Sequence, residues 1–229
     1  KLLEEEGGKL ARRLSGGGAV FHDLGNLNFT FLMDKELYDL EKQLEVILEA
    51  VQSQGIAAEF SGRNDLVVND KKFSGNAFYM GDEFAYHHGT IMVDTDFKKL
   101  VEYLQVSPEK IESKGVESVR SRVLNLKEIK PNLSIADIRE ALDRSFQDVY
   151  GKIEQELSID PGNMSSLQEL YDKYSSWKWR FGRTPDFDIT FETRFDWGDI
   201  ELGLTLKEGH VEAATVYSDA MNSRLIQEV

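Results

Sequence analysis

Arg12-Arg13-Leu14-Ser15-Gly16-Gly17-Gly18-Ala19-Val20-Phe21-His22-Asp23 is the stretch around which the rest of the chain is read. Consecutive glycines reach backbone conformations closed to other residues and let a ligand come close to the main chain. Their N–H groups can form an anion nest, and the two arginines just before them can neutralise phosphate. The spacing is not that of a Walker loop, because no Gly-x-x-x-x-Gly-Lys-Ser/Thr is present. It is not a Rossmann fingerprint either, since Phe21 stands where the third glycine would fall. Taken alone, the run is equally a flexible turn after a surface helix.

Outward from this stretch, apolar spacing predicts the elements. Val20–His22 and Leu27–Met33 read as strands. Leu40, Leu44, Ile47, Leu48 and Val51 recur at helical spacing, giving an amphipathic helix over residues 37–52. Asp65–Val68 leads through Asn69-Asp70 into Lys72–Tyr79 as a hairpin, and Thr90–Val93 is a further strand. A short helix follows at Phe97–Leu104. Ser134 and Asp137 form a capping box for a helix with face Ile135, Ile138, Leu142, Phe146 and Val149. The pattern breaks at Asp160-Pro161-Gly162-Asn163. Beyond it come a helix through Leu167–Tyr174, an extended stretch at Ser175–Phe181, and a meander of Asp188–Phe195, Ile200–Leu206 and Val211–Tyr217. The fold class expected is α+β: a mixed sheet with flanking helices over residues 1–159, then a small α+β accessory domain over 163–229.

Composition narrows the function. The 229 residues carry 41 acidic and 27 basic side chains, a net charge of -14, which disfavours nucleic acid and anionic membrane. With no Cys, disulfides, thiolate zinc sites and a cysteine acyl-enzyme are excluded for this chain. No apolar run is long enough to span a membrane and no signal pattern is present, so a cytoplasmic address is expected; a monomer is also expected. The chain opens at Lys1 in a charged helical stretch, and is read as part of a longer protein.

Two further clusters bear chemistry. Ser61-Gly62-Arg63-Asn64-Asp65 and Lys71-Lys72-Phe73-Ser74-Gly75-Asn76-Ala77 place Asp65 and Lys72 on the two arms of one hairpin. A carboxylate there can hold Mg²⁺ and a lysine can neutralise phosphate; a surface salt bridge satisfies the same spacing. In Tyr86-His87-His88-Gly89-Thr90 the neighbouring histidines point to opposite faces of a strand, which argues against a shared metal.

In order and spacing these clusters resemble the lipoate–protein ligase family of the lipoyl/biotin ligase superfamily. Its arginine-serine-glycine loop is matched by Arg12–Asp23 and its Gly-Arg-Asn-Asp by Gly62–Asp65. Lys-x-Ser-Gly-x-Ala is matched by Lys72–Ala77 and His-His-Gly-Thr by His87–Thr90. Lys114-Gly115-Val116, Ser118–Val123, Asn125-Leu126 and Ser175-Ser176-Trp177 with Trp179 and Phe181-Gly182 also fit. Relative to the family, an N-terminal segment before Lys1 and the end of the C-terminal domain are expected to be missing.

The resemblance implies that ATP and lipoate give lipoyl-adenylate and pyrophosphate. The lipoyl group then passes to a lysine of an acceptor lipoyl domain of a 2-oxoacid dehydrogenase complex, or of the glycine-cleavage H protein. It assigns Lys72 the catalytic role, contacting both α-phosphate and acyl carbonyl. It assigns ATP and lipoyl-adenylate contacts to Arg13, Ser15, Gly16, Gly17, Gly18, Ala19, Val20, Phe21, Asn64 and Asp65, with Asp65 also the Mg²⁺ candidate. Octanoyltransferases of the superfamily use a cysteine, and the residue after Asn76 is Ala77. A non-catalytic lipoyl- or adenylate-binding scaffold is the other reading.

Overall fold

The computed structural model describes residues 2–61, 65–104, 122–158, 167–181, 187–195 and 197–220. The chain divides into two units, Ala19–Glu154 and a second made of Lys1–Gly18 with Gln155–Val229. The expected linker at residues 160–163, and with it the expected boundary, lies outside the described residues.

In the unit Ala19–Glu154, β1 (Asn26–Asp34) is followed by α2 (Leu40–Gln52), β2 (Glu59–Ser61), β3 (Asp65–Val68), β4 (Lys71–Met80), β5 (Phe84–Met92), α3 (Phe97–Tyr103) and α4 (Ile135–Tyr150). The five strands form one sheet in the order β1-β5-β4-β3-β2. All of these pairings are antiparallel, and parallel pairing among the described residues is confined to a bridge between Lys72 and Val123. The α+β class holds, with a sheet less mixed than its sequence suggests.

Helix α2 begins at Asp39, whose carboxylate accepts from Lys42 N–H at 3.2 Å. Its apolar stripe of Leu44, Ile47 and Val51 lies in the core with Leu66, Val68, Phe73, Ile91 and Ile138 of α4. The Ser134 hydroxyl and Asp137 carboxylate close the predicted capping box, so α4 starts where the sequence marks it. The β3–β4 turn is tight, with Asn69 and Asp70 both at positive φ (52° and 61°), a conformation that Asn and Asp tolerate better than most residues.

Residues 19–23 do not form the expected strand. They lead instead into the turn Asp23–Asn26, which Asp23 organises: Oδ1 accepts from Gly25 N at 2.9 Å and Oδ2 from Asp96 N at 2.7 Å. Gly25 O accepts from Val93 N and Asp94 N, and a Cβ at Gly25 would collide with the Asp94 carbonyl. The strand expected from Thr90 begins earlier, at Phe84.

In the second unit, α1 (Leu2–Glu5), α5 (Gln168–Ser175) and α6 (Trp177–Arg180) precede the meander β6 (Ile189–Phe195), β7 (Gly198–Lys207) and β8 (His210–Ser218), in the order β6-β7-β8. The meander matches its sequence reading. Trp177 and Trp179 lie on α6 rather than on an extended stretch, because the Ser176 hydroxyl caps that turn by accepting from Trp179 N at 3.1 Å.

Candidate active site

A bulge sets the position of Lys72. Leu66 pairs with Ser74, but Val67 pairs with Lys72, leaving Phe73 as an extra residue on β4. Phe73 enters the core, while Lys72 lies on the face of its partner Val67, the face that also carries Asp65 and Gly75. Lys72 Nζ is 2.7 Å from Asp65 Oδ1, with both side chains about one-third exposed, 35% and 37%. The Lys72 main chain is fixed from the far side: its N–H donates to Arg122 O at 2.8 Å and its carbonyl accepts from Leu124 N at 2.9 Å.

Gly75 completes this arrangement. A Cβ there would lie 2.9 Å from both Cε and Nζ of Lys72, so the lysine stem occupies the space a side chain would fill. Gly75 and the Arg122–Leu124 segment were not singled out for this role from sequence. The odd interval between Lys72 and Gly75, on one face of one strand, is the signal that points to them, and it is legible only once a bulge is assumed.

Elsewhere in this unit, Ala19 is exposed, Val20 is 52% exposed, and Phe21 packs against Tyr103 of α3 with ring centroids 5.6 Å apart. Asn64 lies outside the described residues. In the other unit, Arg13 Nη2 donates to Gly16 O at 2.7 Å and to Gly18 O at 2.8 Å. Gly17 N donates to Ala220 O at 3.3 Å, Gly17 has φ 93°, and Ser15 is buried. Arg13 thus ties together the carbonyls of the glycine run.

His87 and His88 point apart, as their adjacency on β5 requires. His87 is fully buried, stacked on Phe31 with ring centroids 5.7 Å apart, and its Nε2 meets Asn76 Oδ1 at 2.9 Å. Burial, aided by the His88 charge, lowers its pKa to about 4. His88 packs against Tyr86.

Among the described residues no group of three or more His, Asp or Glu side chains is placed to hold a metal. Asp65 offers one carboxylate, already facing an ammonium. Mg²⁺ keeps several waters and is commonly held by one or two carboxylates together with substrate phosphates. Among the described residues, the single Asp65 carboxylate suits an ion that arrives with substrate phosphates.

The family described as the lipoyl protein ligase A/B catalytic domain matches residues 1–147, and the bacterial lipoate protein ligase C-terminus matches 184–229. The chain belongs to the lipoyl protein ligase A/B family. It is 42% identical over 225 residues to the lipoate-protein ligase A of Psychrobacter cryohalolentis, covering 95% of this chain and 66% of that protein. Among solved structures it is similar to P. falciparum LipL1 in complex with lipoate, with a TM-score of 0.79 and 31% identity over 98% of this chain and 66% of that one. It is also similar to a lipoate-protein ligase A bound with ATP, at TM-score 0.67 and 30% identity over 79% of this chain and 75% of that one. The chain thus spans just under two thirds of the lengths of the Psychrobacter ligase and LipL1. Among its described residues no helix is long and apolar enough to cross a membrane.

Proposed function

We propose that this chain carries the adenylating and acyl-transferring centre of a lipoate–protein ligase. In the first step the lipoate carboxylate attacks the α-phosphorus of ATP, forming lipoyl-adenylate and expelling pyrophosphate. In the second, the ε-amine of an acceptor lysine attacks the acyl carbon, forming the amide and releasing AMP with the amine's proton. The acceptor is a lipoyl domain of a 2-oxoacid dehydrogenase complex or the glycine-cleavage H protein.

The observation that carries this reading is the Lys72–Asp65 pair: a preoriented ammonium, backbone-pinned, on a strand face with part of its surface open. A carboxylate approaching a phosphate meets charge repulsion, and fixed cationic donors offset it. Lys72 is suited to that in the first step and to polarising the acyl carbonyl in the second. Asp65 balances the ammonium and orients it. The nucleotide and acyl contacts of Arg13, Ser15, Gly16, Gly17, Gly18, Ala19, Val20 and Phe21 are carried over from the family resemblance; within its own unit Arg13 holds the carbonyls of Gly16 and Gly18. Asn64 enters only through the resemblance. Mg²⁺ accompanying ATP would neutralise phosphate charge, and Asp65 would be the carboxylate to hold it. The absence of cysteine from the chain removes the thiol that the octanoyltransferase route would need.

The test is intact-mass spectrometry of an apo lipoyl domain incubated with lipoate, Mg·ATP and the ligase. A lipoyl-sized gain that disappears without ATP is expected. ATP binding without pyrophosphate release by the full-length protein would favour the scaffold instead. Lys72→Met should slow adenylation by about 10²–10³, whereas Lys71→Met, opposite Val68 on the other face, should change it far less. Equal losses in the two variants would remove Lys72 from its assigned place.

A further inference from the structure

Arg12 is engaged at both ends with two consecutive residues of α6. The indole Nε1–H of Trp179 donates to Arg12 O at 3.0 Å, and Arg12 Nε and Nη2 donate to Arg180 O at 3.3 and 3.2 Å. The acceptor at Arg180 belongs to the end of a one-turn helix, where carbonyls lack intrahelical partners and a cation is favoured. The donor at Trp179 is held in orientation. The Tyr174 ring meets its edge with centroids 5.0 Å apart, Lys173 Nζ is 5.2 Å from its ring centroid, and the Ser176 hydroxyl caps its backbone N–H.

The next residue along the chain is Arg13, which gathers the carbonyls of Gly16 and Gly18. A second tie follows where Gly17 N meets Ala220 O. The chain is thus tied to Trp179 and Arg180 just before the glycine run and to Ala220 within it. Leu14 and Ser15, the residues between Arg13 and Gly16, leave little slack, since each residue spans at most about 3.6 Å.

We propose that Arg12 and Trp179 are positioning residues, forming a clasp that sets the glycine run for the nucleotide in the adenylation step. This rests on the ligase reading above. The clasp bonds are solvent-exposed, so they add little to stability, and their effect belongs in nucleotide affinity rather than in folding.

Trp179→Phe keeps a ring against Tyr174 but removes the N–H. In the full-length ligase it should raise the KM for ATP about tenfold, leaving the KM for lipoate, the rate of transfer from preformed lipoyl-adenylate and the melting temperature near wild type. Arg12→Ala should do the same, Arg12→Lys should recover part of the loss, and the double variant should be little worse than the worse single. Hydrogen exchange gives a readout that does not need catalysis. Amides of Leu14–Gly18 should exchange faster in Trp179→Phe while Ile135–Tyr150 is unchanged. Unaltered exchange at Leu14–Gly18, an unchanged KM for ATP in an active enzyme, or single effects that multiply would each overturn the clasp. A wild-type protein that releases no pyrophosphate would overturn the ligase reading and with it the adenylation role of the clasp, while the exchange difference would separate that failure from a failure of the clasp geometry.

Discussion

Gly75 has no side chain, and that absence determines where the Lys72 ammonium rests. Gly75→Ala puts a methyl 2.9 Å from Cε and Nζ, the far end of a flexible side chain, so the fold can absorb it while the ammonium cannot stay in place. The expected outcome is near-wild-type melting and a loss of about 10²-fold in pyrophosphate release, the scale set by misplacing a reacting group by roughly 1 Å. Wild-type turnover in that variant would mean the lysine is not used where it lies. His87 makes a different kind of prediction. Its pKa is lowered to about 4 in the folded chain, against about 6.5 for an ordinary histidine. As pH falls from about 6.5 toward 4 the unfolded chain takes up a proton that the native core refuses. Stability present above that window is therefore lost within it, by roughly 3 kcal/mol. Urea midpoints at pH 7 and pH 4.5 should differ more in the wild type than in His87→Gln; identical differences would contradict the assignment. The meeting of Lys72 with Asp65 is legible from sequence because a hairpin register needs only the turn between its arms. The hydrogen bonds of Arg13 to its own loop were not, since nothing in the order Arg-Leu-Ser-Gly says whether a guanidinium faces a ligand or the backbone.

Helix α4 shows how much of an element can be written in its first residues. Ser134 and Asp137 exchange hydrogen bonds at 3.2 and 2.8 Å, and the helix follows. Ser134→Ala should cost about 1 kcal/mol, read as a lower urea midpoint with unchanged slope; no change would show that packing of Ile138 alone starts the helix. The β3–β4 turn was equally readable, since Asn69-Asp70 suits the positive φ that a tight hairpin demands. The stretches that misled were those where a neighbour overrides local pattern. Val20–Phe21 has strand-forming side chains, but Asp23 draws the following turn onto Gly25 and Asp96. Ser175–Phe181 alternates its tryptophans, but Ser176 supplies a cap that closes a helical turn. At β4, the bulged Phe73 breaks the two-residue period, so the shared face of Lys72 and Gly75 cannot be read from their spacing.

Across the whole molecule, burial is unequal. The principal core cluster, from Leu44 to Ile138, lies wholly within Ala19–Glu154, whereas every residue of β6 is exposed, Phe191 at 55%. Native-state hydrogen exchange should therefore rank α2, β4 and α4 as best protected and β6 as least. Comparable protection in β6 and α4 would require a partner layer over the meander. A second whole-chain consequence starts at Gly25. Its alpha carbon lies so close to the Asp94 carbonyl that any side chain collides with main chain rather than with a movable group. In a library holding all twenty residues at each position, selected for growth or binding, the Gly25 column would empty as completely as that of Lys72. The two columns would look alike in the sequencing counts, the Lys72 column emptied, on the proposed function, by lost chemistry and the Gly25 column by misfolded product. Only a parallel selection for expression level would tell them apart.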